Sequence, residues 1–239
     1  MTKRIIAALL ALFVLLCSMP ALSEENDWED EGWEDFSDEE LEEEFEEEED
    51  RVDFRTISGY NIETFECDGF RYQKTDDGKG AILVSYYGTD ADVVFPDTLN
   101  ELPVVAINTA MCINNSIIQK LQIPGSVQII GPNAFAQCPN LESVEIQEGL
   151  KTLDKCCFGG CPKLKEIILP DSLEIIDEFF FANCPRLQEI AFGQNLQSIG
   201  RQAFLKCASL SKVVIPGGDT VRIGDEAFGE CNENLIIMD

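Results

Sequence analysis

The sequence predicts a repeat solenoid. It is expected to be mainly β, with short helical or 3-10 turns, a parallel strand stack and an N-terminal β-hairpin cap. Three observations carry this. Phe135, Phe158, Phe181 and Phe204 lie 23 residues apart, and Phe228 follows 24 later. Each is followed three residues on by a cysteine: Cys138, Cys161, Cys184, Cys207 and Cys231. Leu141, Leu164, Leu187 and Leu210 come three residues after the first four of those. A fixed period in the twenties is the mark of stacked units that share one continuous core.

Taken in order, residues 1–23 read as a secretory signal peptide. Lys3 and Arg4 supply the positive start, Ile5 to Leu16 the apolar stretch, and Ala21 and Ser23 the small residues before cleavage. The apolar run is short of the roughly 20 residues a membrane span needs, so no stable membrane insertion is expected after cleavage. Residues 24–50 hold 19 Asp or Glu among 27 residues and no Lys or Arg. So little apolar material cannot offset the entropy of ordering, and an acidic disordered segment is expected. Trp28, Trp33, Phe36, Leu41 and Phe45 punctuate it. Residues 51–66 read as a transition.

The solenoid is expected over residues 67–239, with its cap at about 67–107. Residues 67–74 and 81–87 read as two short strands, and Thr75-Asp-Asp-Gly-Lys-Gly between them has hairpin turn chemistry. A solenoid needs such a unit to cover the open end of its core. Val93-Val94-Phe95-Pro96 begins the array, and residues 102–107 complete a first partial turn. Residues 109–131 are a degenerate unit with Cys112 at the Phe position and Asn115 at the Cys position, yet Ile118, Leu121, Ile123, Val127 and Ile130 keep the apolar positions. In the Phe158 unit, residues 163–170 form a short strand ended by Pro170, which lacks a ladder donor. Residues 172–177 form a second extended piece, and residues 178–183 a short helical turn leading back.

The units Asn133-Ala-Phe-Ala-Gln-Cys-Pro-Asn-Leu-Glu-Ser-Val-Glu-Ile and Gln202-Ala-Phe-Leu-Lys-Cys-Ala-Ser-Leu-Ser-Lys-Val-Val-Ile-Pro resemble BspA-type leucine-rich repeats. The lead-in, Tyr86-Tyr-Gly-Thr-Asp-Ala-Asp-Val-Val-Phe-Pro before Leu102-Pro-Val, is similar to that family as well. The resemblance covers residues 67–239 and repeats in register about six times. It implies a leucine-rich repeat solenoid of a secreted or surface protein, adhesion to host proteins or other cells, and no general catalytic activity. The unit at 109–131, the broken last unit and the lack of a surface-sorting tail depart from the family pattern.

Composition narrows the function classes. The chain contains no histidine, which removes the usual proton shuttle and the nucleophile arrangements that depend on it. No Gly-rich phosphate loop or EF-hand spacing occurs. The reading is therefore of a protein that is not an enzyme, with no catalytic, cofactor-binding or metal-ligating residues. Net charge is −28 overall and −11 over residues 51–239, from 15 basic and 26 acidic residues, so nucleic acid is excluded as a partner.

Cysteines at one core position in successive units would stack about 4.8 Å apart with parallel Cβ vectors, whereas a disulfide wants a Cβ separation of about 3.8 Å. They read as small buried hydrophobes. Whether Cys67, Cys112, Cys156 or Cys157 forms a bridge stays open.

The remaining candidate is the outward face of the repeat strands. One row runs Lys120, Ser143, Glu166, Glu189, Lys212, and a second runs Gln122, Glu145, Ile168, Ala191, Val214. The apolar trio Ile168, Ala191 and Val214, bordered by charges, resembles a small protein-binding patch. The expected function is protein–protein or cell-surface interaction, an adhesin among the possibilities, through this face. The alternative is a structural envelope or matrix component whose acidic arm binds cations. Neither the ligand nor the oligomeric state is legible.

Overall fold

The structure is a computed structural model and describes residues 63–239. The signal-peptide and acidic-segment readings, and most of the transition segment, lie outside the described residues. Within them the chain winds as a mainly β solenoid whose successive turns pair as parallel strands on two faces.

One face carries the strands Asp92–Val94, Lys120–Ile123, Ser143–Ile146 and Glu166–Ile168 in one four-stranded sheet, then Glu189–Ala191, Lys212–Val214 and Ile236–Met238 in a three-stranded sheet. The other face carries Leu102–Ile107 and the short strands Ile129–Ile130, Thr152–Leu153, Ile175–Ile176, Ser198–Ile199 and Arg222–Ile223 in one continuous sheet with the N-terminal cap. Registers follow the repeat: Leu121 pairs with Val144, Val144 with Ile167, and Ile190 with Val213. The degenerate unit therefore keeps its place, because its apolar positions survive even where its signature residues do not.

The cap differs from expectation in detail. Residues 67–74 are not one strand. Phe65–Cys67 and Phe70–Lys74 pair antiparallel around Asp68-Gly69, both at positive φ (49° and 84°). That is the Asp-Gly hairpin turn, whose two left-handed residues match the twist of the flanking strands. Ordered pairing thus begins at Phe65, two residues ahead of the expected boundary. The second hairpin is as expected: Phe70–Lys74 pairs antiparallel with Ala81–Tyr86. Asp77 accepts from the Thr75 hydroxyl (2.6 Å) and the Lys79 amide (3.0 Å) to hold the turn between them. Ala81–Tyr86 then pairs in parallel with Leu102–Ile107, joining the cap to the stack.

Of the expected helical or 3-10 turns, the described residues hold one, the 3-10 turn Gly218–Thr220, and residues 178–183 are not helical. In place of helix, each repeat returns through turns that place two residues at positive φ, four apart: Ala110 and Asn114, Asn133 and Gln137, Cys156 and Gly160, Phe179 and Asn183, Gln202 and Lys206, Glu226 and Glu230. Only one of these residues is glycine. The reason is a competition for amide hydrogens. In a helix the N–H groups would bond within the segment. Here Phe179, Phe181 and Asn183 donate to Arg201, Ala203 and Leu205 of the next unit (3.1, 2.7 and 2.8 Å). The left-handed residues leave these three amides free to reach the next unit, while Ala182 donates back to Phe179 within the turn (3.1 Å). Strain of this kind persists where surrounding structure over-determines it, and the repeated inter-unit bonds supply that constraint.

The core is a set of ladders. The rings of Phe135, Phe158, Phe181, Phe204 and Phe228 stack with centroids 5.2–6.0 Å apart. Where Cys112 replaces a ring, Phe95 stands 5.9 Å from Phe135 and 5.1 Å from Phe70 of the cap, so the aromatic column runs unbroken into the hairpins. Phe180 adds an edge contact at 4.3 Å to Phe181.

The cysteine ladder does more than fill space. Each thiol donates to the main-chain carbonyl at the Phe position of the preceding unit: Cys138 to Cys112 (3.2 Å), Cys161 to Phe135 (3.3 Å), Cys184 to Phe158 (3.2 Å), Cys207 to Phe181 (3.2 Å) and Cys231 to Phe204 (3.1 Å). A buried carbonyl without a donor is costly, and at Phe135, Phe158 and Phe181 the thiol, a small and mostly apolar group, supplies one; the Cys112 and Phe204 carbonyls also accept from the Asn115 and Cys207 amides (3.0 and 3.1 Å). The described cysteines are all free thiols; Cys231, in the last unit, is half-buried rather than buried.

Candidate strand-face site

The outward face is built by strand alternation. In Glu166–Ile168 the flanking residues are exposed and Ile167 is buried. The same exposed–buried–exposed pattern holds in Glu189–Ala191, while Lys212 and Val214 are half-buried around Val213. Period-2 alternation sends one row of apolar side chains into the core and leaves two rows outside.

Each predicted residue lies on this face. Lys120 is exposed and 3.3 Å from Asp92 of the preceding turn. Gln122 donates to Glu145 (3.2 Å) across the ladder. Glu145 stands opposite Ile168 in register, and Glu166 opposite Ser143. Ile168 is 61% exposed, the largest value among the large apolar residues of the face after Val94 at 65%. In the second sheet Glu189 stands opposite Lys212, with 3.8 Å between carboxylate and ammonium, and Ala191 stands opposite Val214.

Two features escaped the sequence. First, the face is divided: no strand ladder joins Glu166–Ile168 to Glu189–Ala191 among the described residues, so the rows cross a seam. Second, the rows do not stop at Lys212 and Val214. Lys212 pairs on to Ile236 and Val214 to Met238, which are 59% and 47% exposed. The signal was available, because the last unit is offset by 24 residues at Phe228 and Cys231, and the same offset places Ile236 and Met238 in the two rows. The outer row therefore runs Ile168, Ala191, Val214, Met238, an apolar strip rather than a trio.

None of the described polar or charged residues is buried, and no group of three or more Cys, Asp or Glu is placed to hold a metal ion. No described helix is long and apolar enough to cross a membrane. Burial pushes Cys207 up to about 12 and raises Cys112, Cys157 and Cys161, while Cys138 is raised first by the neighbouring Cys161 thiol and then by burial. None of these is a thiolate nucleophile near neutrality.

The fold and its strand face define a leucine-rich repeat protein. The chain belongs to the BspA type leucine-rich repeat family, whose region matches residues 106–234 in six copies. It is similar to a leucine-rich repeat protein of T. pallidum at 30% identity (TM-score 0.51, 73% of this chain and 71% of that one). It also resembles in fold a leucine-rich cell surface protein of Faecalibacterium prausnitzii, at 24% identity and TM-score 0.61, covering 73% of this chain and 54% of that one. A leucine-rich repeat protein of Bacteroides ovatus matches at 26% identity and TM-score 0.60, with 73% and 52% covered. The chain thus spans little more than half the length of these last two. No curated protein matches it.

Proposed function

We propose that this chain is a secreted or surface-exposed binding protein that engages a protein or cell-surface ligand through its strand face, with adhesion as the biological outcome. The observation that carries the reading is the strip Ile168–Ala191–Val214–Met238, an outward apolar row, half-buried at Val214, on a face whose charged and polar groups include Asp92, Lys120, Gln122, Glu145, Glu166, Glu189 and Lys212. Contiguous apolar surface rimmed by polar groups is typical of protein interaction sites. Membership of a repeat family with a surface-protein neighbour supports export, as does the leader read in residues 1–23. Pull-down against host-matrix and bacterial-surface proteins, with and without residues 24–50, identifies the partner and any contribution of the acidic segment. Ala191→Glu then tests the face. It is expected to weaken binding at least about tenfold without changing the melting curve, because a charge in a desolvated interface is left unpaired while on the free surface it stays hydrated. Unchanged binding by Ala191→Glu, with loss on a substitution at the opposite sheet, places the site elsewhere.

A further inference from the structure

The strip's chemistry narrows the partner, given the strand-face reading above. We infer that the strip receives a protein segment that presents aliphatic side chains with lysine or arginine beside them, rather than a second copy of this chain or its own acidic N-terminal segment.

The argument rests on which charges around the strip are already satisfied. Lys120 is engaged by Asp92, Lys165 by Glu142 (3.1 Å) and Lys212 by Glu189 (3.8 Å). Glu145 and Glu166 flank Ile168, one directly across the ladder and the other two residues earlier on the same outward face. Glu145 accepts a hydrogen bond from neutral Gln122, and neither carboxylate has a lysine or arginine partner among the described residues. The most exposed aliphatic of the strip thus sits between two uncompensated negative charges. A docked segment that covered Ile168 would strip water from both, and a carboxylate in an excluded-water rim needs a cation.

Alternative occupants fare worse by the same test. A second copy in self-complementary contact would bring further carboxylates against these, on a chain of net charge −28. The segment 24–50 carries suitable apolar residues in Trp28, Trp33, Phe36, Leu41 and Phe45, but also 19 acids and no base. Both are opposed by like charge, whereas a basic apolar segment is attracted from solution and held at the strip.

The test uses the full chain and three labelled peptides in fluorescence anisotropy at physiological salt: alternating isoleucine and lysine, the same with serine for isoleucine, and the same with glutamate for lysine. The serine peptide measures any non-specific attraction of lysines to residues 24–50. The isoleucine–lysine peptide is expected to bind tightest. Glu166→Lys should weaken it at least about fivefold, through a rim charge acting mainly on association. Glu166→Gln should give a smaller loss in the same direction, and Asp76→Lys in the distant cap hairpin should change nothing beyond the serine background. Equal binding of the glutamate peptide, or equal effects of Glu166→Lys and Asp76→Lys, overturns the inference. If Ile168→Ser still abolishes binding in that case, the strip remains a docking site and only its preference for cations is wrong. If Ile168→Ser also has no effect, the strand-face reading itself fails. A dimer in sedimentation that dissociates on Ile168→Ser would make the second copy the occupant and likewise overturn the inference.

Discussion

At the residue scale, Phe181 and Cys184 show two ways a repeat position is justified. The Phe181 ring lies between Phe158 at 6.0 Å and Phe204 at 5.3 Å, with no exposure. Phe181→Ala is expected to cost about 3–5 kcal/mol in denaturant melts, as other buried Phe truncations do; a loss under about 1 kcal/mol would contradict the stacked column. Cys184 acts through its thiol proton. Removing it leaves the Phe158 carbonyl without the donor seen at 3.2 Å. Cys184→Ala should therefore cost about 1–3 kcal/mol, the penalty for a stranded buried acceptor, and Cys184→Ser should restore part of it. An alanine variant more stable than the serine variant would show that the cysteine is retained for its volume alone.

At the scale of elements, the seam between Glu166–Ile168 and Glu189–Ala191 distinguishes strands that their sequences make look alike. Ser143–Ile146 is paired on both edges, by Lys120–Ile123 and Glu166–Ile168. Glu189–Ala191 is paired on one edge only, by Lys212–Val214. Amides not held in a ladder open more readily than those in the middle of a sheet. Native-state hydrogen exchange is expected to be faster across residues 166–168 and 189–191, each paired on one edge, than across 143–146. Equal protection throughout would mean the stack is continuous there in solution. The apolar strip crosses the seam between Ile168 and Ala191, so partner binding should slow exchange at 189–191 more than at 120–123.

For the whole molecule, the ladder of thiols ties stability to alkaline pH. Cys207 rises from an ordinary 9.0 to about 12, and burial likewise raises Cys112, Cys157 and Cys161. A group whose folded pKa is raised keeps its full contribution below the unfolded pKa and loses it as pH climbs toward the folded one. The unfolding midpoint should therefore hold up to pH about 9 and fall between about 9 and 12, and Cys207→Ala should fall less steeply. A midpoint flat across that window would show that the unfolded chain holds its thiols equally protonated. The inter-unit ion pairs, such as Lys155–Glu178 and Lys165–Glu142, are exposed and add little to this balance.

The period of 23 by itself determined the solenoid, the core ladders and the outward rows on which every candidate residue lies. Stacked units impose the same environment on the same position, so spacing alone identifies Phe, Cys and Leu as core and residues such as Ile168 and Ala191 as surface. Tertiary structure decided what spacing cannot express. Residues 178–183 look helical locally, but the amides of Phe179, Phe181 and Asn183 are claimed by the next unit, and the chain turns left-handed at Phe179 and Asn183 instead. The thiol of Cys184 finds its acceptor 26 residues away, at a carbonyl no side-chain pattern marks. The division of the strip at the seam follows from strand pairing. So does the separation of Glu145 and Glu166 from any lysine or arginine among the described residues. A one-dimensional repeat specifies which residues share a row. Which neighbouring rungs bond, and which charges remain unanswered, is set only once those rungs are packed in three dimensions.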